Sequence, residues 1–126
     1  GFEYFKIGSG PLKLVLMIDL YKTEIINQID IVRNIGFASS NLNVESVSFF
    51  NNNKTVKLIS LIDTKYQPLS FENQTDQYQL HIKHLPVKAH RIKITLSTSE
   101  YTFLNNTKLY SMFLRTIKFK KKYICY

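Results

Sequence analysis

The chain has 126 residues, 44% hydrophobic and 21% charged, which suits one folded domain, residues 1–126, and excludes disordered and collagen-like classes. No run reaches the ~18 apolar residues of a membrane-spanning helix, because the longest stretch, Leu14 to Ile18, is closed by Lys13 and Asp19. The net charge of +8 directs attention to anionic partners: nucleic acid, anionic lipid or an acidic protein surface.

Alternation with a period of two, the mark of half-buried strands, recurs along nearly the whole chain, and helical spacing does not. Phe2, Tyr4 and Phe5 precede a Gly8-Ser9-Gly10-Pro11 turn that has no helix pattern after it, so it reads as the start of a strand and not as a phosphate-cradling loop. From Leu12 to Leu20 the even-numbered positions are all leucine or isoleucine, and Val15 and Met17 make the opposite face apolar in its middle, which predicts cover on both sides. A turn at Tyr21 to Glu24 and a strand from Ile25 to Arg33 follow, then a loop from Gly36 to Asn41.

The strongest local signal is a hairpin: Leu42 to Phe50, the turn Asn51-Asn52-Asn53-Lys54, and Thr55 to Ile62. Asparagine tolerates the left-handed backbone of tight turns, and β-branched or aromatic residues fill both arms. Tyr66 to Phe71 predicts a short edge strand because Pro68 cannot donate to a central ladder, and Glu72 to Asp76 predicts a loop. Tyr78 to Ile82 alternates up to Pro86, which is expected to end that strand. His90 to Leu96 then places Ile92, Ile94 and Leu96 inward. Glu100 to Asn106 reads as a polar connection. The last strand, Phe113 to Lys121, sets Phe113, Ile117 and Phe119 with Arg115 on one face and Leu114, Thr116, Lys118 and Lys120 on the other. About eight strands spaced by turn signals predict a two-sheet antiparallel β-sandwich of the jelly-roll kind.

Chemistry is scarce in the pattern. His81 and His84 fall on opposite faces of a strand and His90 on another, so no metal site is expected. Asp19, Asp30, Asp63 and Asp76 are dispersed, and no nucleophile carries a familiar local signature, so no catalytic residue and no cofactor is expected. Cys125 is the single cysteine, which rules out a disulfide within the chain; with no recognisable signal peptide, an intracellular location is expected. Sequons at Asn53, Asn73 and Asn105 would matter only in a secreted protein.

Several segments together resemble a known family. Phe2-Glu-Tyr-Phe through Gly8-Ser-Gly-Pro11, Leu16-Met-Ile-Asp-Leu20, Val44 to Phe50 with its Asn turn and Lys54 to Leu58, Pro86 to Ile94, and Phe113 to Phe119 are similar to the strand motifs of galactose-binding-like, discoidin-type jelly rolls. That fold is shared by coagulation-factor C domains, carbohydrate-binding modules and the Doc-type subunit of the anaphase-promoting ubiquitin ligase, and the N-terminal domain of certain U-box ubiquitin ligases is similar too. The resemblance implies a non-catalytic binding domain. The family's early Asp-containing loop and its tryptophan have no counterpart here, so it carries over no calcium site.

Three partners follow as expectations. The first is a protein, with the chain serving as an interaction module of a larger assembly that binds through loops at one end of the sandwich: Tyr4, Phe5, Lys65, Tyr66, Tyr101 and Phe103. The second is carbohydrate, through the same loop aromatics. The third is nucleic acid or another anionic surface, through Lys118, Lys120, Lys121 and Lys122.

Overall fold

The computed structural model describes residues 2–8, 10–34, 42–60, 67–68, 77–99 and 101–122. They form an all-β antiparallel sandwich of eight strands, as the alternation predicts: β1 (Phe2–Ile7), β2 (Leu12–Asn34), β3 (Asn43–Asn51), β4 (Lys54–Ser60), β5 (Gln67–Pro68), β6 (Gln77–Thr98), β7 (Thr102–Leu104) and β8 (Thr107–Lys121). The hydrogen-bonded order is β1-β8-β2-β6-β3-β4, with β5 beside β6 and β7 beside β8. Among the described residues no helix is long and apolar enough to cross a membrane.

Two strands hold the layers together. The first half of β2 (residues 12–19) pairs with the second half of β6 (91–98), which also carries β3 and through it β4. The second half of β2 (26–33) lies between the first half of β6 and β8, and β8 carries β1 and β7. A strand of 23 residues serves both layers only if it turns a corner, and bulges supply the bend.

Both corner irregularities revise a sequence expectation. Tyr21 to Glu24 is not a turn between two strands: the four residues 20–23 of β2 stand against the single residue His90 of β6, between the Asp19↔Arg91 and Glu24↔Ala89 pairs, and Tyr21 is fully exposed there. Pro86 does not end its strand, and His90 begins no new one. Residues 84–86 of β6 bulge opposite Asn27, so the missing N–H of Pro86 falls where the ladder is already broken.

The Asn hairpin is as predicted: β3 and β4 pair around Asn52 and Asn53, both at positive φ, as a tight type I′ hairpin turn requires. Asn105 and Asn106 do the same between β7 and β8, so the expected connection from Glu100 to Asn106 contains a strand, and the last strand begins at Thr107 and not at Phe113. The aromatic N-terminal segment is likewise strand β1 and not loop. The expected loops at 36–41 and 72–76 lie outside the described residues.

One core fills the sandwich. Val47, Phe49, Ile92, Ile94 and Leu96 come from one layer and Ile29, Ile31, Leu80, Ile82, Met112 and Leu114 from the other, all buried. Leu114 departs from the expected face because Arg115 is an extra residue between the Thr116↔Val32 and Leu114↔Arg33 pairs, which turns Leu114 to the same side as Ile117 and Phe119.

Candidate functional site

The expected loop cluster does not assemble as one site among the described residues. Tyr4 and Phe5 lie within β1, their backbones opposite Met112 and Ser111, and their side chains lie outside what the structure describes, as do Lys65 and Tyr66 altogether. Tyr101 and Phe103 do come together beside the β7–β8 hairpin. Their rings meet edge to face at 5.4 Å, Tyr101 also touches the Tyr110 ring at 5.6 Å, and Phe103 is 69% exposed. The Lys108 ammonium sits 4.4 Å from the centroid of Tyr101, so one face of that ring is occupied by a cation.

The basic tail divides by strand parity. Lys118 and Lys120 project from the outer face of β8. Lys121 turns the other way and pairs with Glu24 at 2.8 Å, while the Lys122 amide closes the strand by donating to the Ile25 carbonyl and its side chain is exposed.

What joins Lys118 and Lys120 comes from a distant part of the chain. In the three-stranded centre of this layer, Gln28 lies between Lys83 and Lys120, Asp30 between His81 and Lys118, and Val32 between Gln79 and Thr116. Directly opposed residues of antiparallel strands share a face, so these rows stand together, opposite Ile29, Ile31, Leu80 and Ile82 in the core. The β6 and β8 rails are separated by two strand spacings, about 10 Å, and steps along each rail are about 6.7 Å. Lys83, Lys118 and Lys120 are exposed, and among the described residues none of them forms an ion pair.

A buried polar knot underlies the rails. Gln28 and Asp30 are each only 6% exposed. The Gln28 amide donates to Asp30 Oδ1 at 2.7 Å, and His81 Nδ1 donates to the same oxygen at 2.5 Å. The carboxylate therefore fixes the imidazole and leaves Nε2 as the ring's outward nitrogen, on a side chain 42% exposed. On the other layer two cations are paired, Lys13 with Glu45 at 3.0 Å and Arg91 with Asp19 at 2.6 Å, and the Lys13 contact holds the Glu45 carboxyl below its ordinary pKa.

His84 is separate from this face. It packs on Phe49 at 4.9 Å between ring centroids, Nδ1 donates to the Leu85 carbonyl at 2.7 Å, and Nε2 is buried without a partner. Burial pushes its pKa below the ordinary imidazole value. Among the described residues no three of His, Cys, Asp and Glu come together as a metal site would need.

Sequence reasoning found Lys118 and Lys120 but missed Lys83, His81, Gln28 and Asp30. The signal was present as alternation in Tyr78 to Lys83 and Ile25 to Arg33; the placing of the second segment between the first and β8 was not.

No family model matches the chain, and no solved structure matches it. A protein of Wigglesworthia glossinidia brevipalpis named "Probable cytosol aminopeptidase" is similar, with 27% identity over 106 residues that cover 71% of this chain. The match spans 21% of that protein's own length.

Proposed function

We propose that this domain is a non-catalytic binding module that docks a nucleic-acid backbone on the lysine rails of β6 and β8. The observation that carries the reading is the row geometry: Lys83 and Lys120 flanking Gln28, and His81 and Lys118 flanking Asp30, on one exposed face where the lysines are unpaired. Lysine is a point charge that neutralises phosphate without demanding bidentate geometry, and a rail step of about 6.7 Å suits successive phosphates of an extended strand. The face lacks aromatic residues in its central rows, Gln28, Asp30, Val32 and their partners, so binding is expected to ignore base sequence.

The test is fluorescence anisotropy with a labelled single-stranded oligonucleotide of mixed sequence. The combined variant Lys83→Gln, Lys118→Gln, Lys120→Gln is expected to lose most of the affinity while its melting temperature stays near that of the parent. Unchanged affinity in the folded variant sinks the proposal.

A second reading, a protein contact within a larger assembly, is favoured by the exposed Tyr101–Phe103 pair at the hairpin. Carbohydrate stacking is less well supported at that pair, because Lys108 already covers one face of Tyr101. The aminopeptidase activity named for the bacterial relative belongs to a protein of which this chain matches about a fifth, and it is not carried over here.

A further inference from the structure

The first half of β2 has the sequence of a central strand and the position of an edge strand. Among the described residues, positions 12–19 pair with β6 on one side, and no strand pairs with them on the other. The consequence shows within single cross-strand pairs. Ile92, Ile94 and Leu96 of β6 are wholly buried, whereas the residues opposite them on β2, Ile18, Leu16 and Leu14, are only partly covered. On the outer face Val15 and Met17 are 53% and 51% exposed. The open edge borders a groove of about 320 Å³ lined by Leu16, Met17 and Ile18 on β2 and by Leu114 to Ile117 on β8. A long apolar edge with no proline and no central charge is what soluble proteins avoid unless another strand covers it.

The pattern of the edge identifies the covering strand. We propose that it is the same edge of a second copy, with residues 12–20 of the two chains paired antiparallel about a two-fold axis at Leu16. In this register Leu16 faces Leu16, Val15 faces Met17, Leu14 faces Ile18 and Leu12 faces Leu20, so apolar residues meet apolar residues on both faces. Lys13 of each copy faces Asp19 of the other, so opposite charges meet at both ends of the seam, each already paired within its own chain with Glu45 or Arg91. Moving the axis to Met17 sets Val15 against Asp19 and Lys13 against Tyr21, and a one-residue slip would turn one copy's apolar face outward. The inward residues of the added strand would fall over Leu114 and Ile117 and fill the groove. This seam does not depend on the lysine face, which lies on the outer side of the other layer.

Sedimentation velocity of the parent chain over a range of concentrations is the first test, with a concentration-dependent dimer expected. The register is tested in a Cys125→Ser background with two single variants at exposed positions, Val15→Cys and Met17→Cys. Directly opposed residues have Cα atoms about 4.5–5.5 Å apart, within disulfide reach. Residues offset by two are about 7–8 Å apart, beyond it. An oxidised mixture of the two variants is expected to give covalent dimer several-fold above either variant alone. A chain that stays monomeric at every concentration overturns the proposal, as it would if a different protein supplies the strand. Equal cross-linking of Val15→Cys with itself overturns the register. If the variants fail to fold, the sedimentation result on the parent chain still decides between dimer and monomer.

Discussion

In its first half, residues 12–20, β2 is leucine, isoleucine, valine and methionine broken by Lys13 and Asp19, yet only Leu12 is buried. In its second half it carries Gln28, Asp30 and Arg33, and these three are buried beside Ile29, Ile31 and Val32. The more polar half is the more hidden one because it has β6 on one side and β8 on the other, while the apolar half has β6 alone among the described residues. Burial in a sheet is thus decided by how many neighbours a strand has, and a residue's own hydrophobicity comes second. Polar side chains survive at the centre because they satisfy one another, as Gln28, Asp30 and His81 do.

The sharpest way to break that comparison is truncation in each half. Ile31→Ala, at a wholly buried position between two strands, is expected to cost about 3–4 kcal/mol, near the middle of the range for large core deletions. Leu16→Ala, at the half-covered edge, should cost less, about 1–2 kcal/mol, since less apolar area returns to water. Urea unfolding of both variants at concentrations where the chain is monomeric checks the order, and equal losses there would mean that the edge is as well covered within one chain as the centre.

Next in size is Asp30→Ala. It removes the acceptor shared by Gln28 and His81 and leaves the buried Gln28 amide without it, at an expected cost of about 1–3 kcal/mol by the same assay. A loss below about 0.5 kcal/mol would show that water serves those groups equally well.

His84 gives a smaller, pH-dependent effect. Its folded-state pKa lies below the ordinary value, so as pH falls through about 6.5 the unfolded chain takes up the proton first. The stability associated with a neutral His84 is therefore present above that range and is lost as pH falls from it toward the depressed folded value. Melting temperatures of the parent chain and of His84→Leu, compared between pH 7.5 and pH 5 on the scale set by that ordinary value, should show a steeper fall for the parent. Parallel curves would mean that His84 is not kept neutral by burial. The smallest effect belongs to Lys13→Ala, which breaks an exposed ion pair with Glu45 and should change monomer stability by no more than about 0.5 kcal/mol.

Much of the fold was legible because alternation is a local property. The β3–β4 hairpin, the inward faces of Leu80–Ile82 and Ile92–Leu96, and the all-β class all follow from it. Continuity was not legible. Tyr21 to Glu24 looks like a turn and Pro86 looks like a stop, but in strands this long they belong to bulges that bend β2 and β6 between layers, and only the partner strand reveals that. The second Asn-Asn turn carried the same signal as the first and was passed over because β7 is only three residues long. At the candidate site, four consecutive-looking lysines suggested one patch. Alternation removes Lys121 to the opposite side, and the missing half of the face, His81 and Lys83, lies on a strand separated from β8 by β2.

The most direct test of the lysine face is the salt dependence of oligonucleotide binding in the parent chain and in Lys118→Gln, Lys120→Gln. With three lysines on phosphates of a single strand, log Kobs against log salt should fall with a slope of about −2, and removing two of them should bring it to about −0.7. A slope that the double variant leaves unchanged, or no binding at low salt, would contradict the assignment of that face.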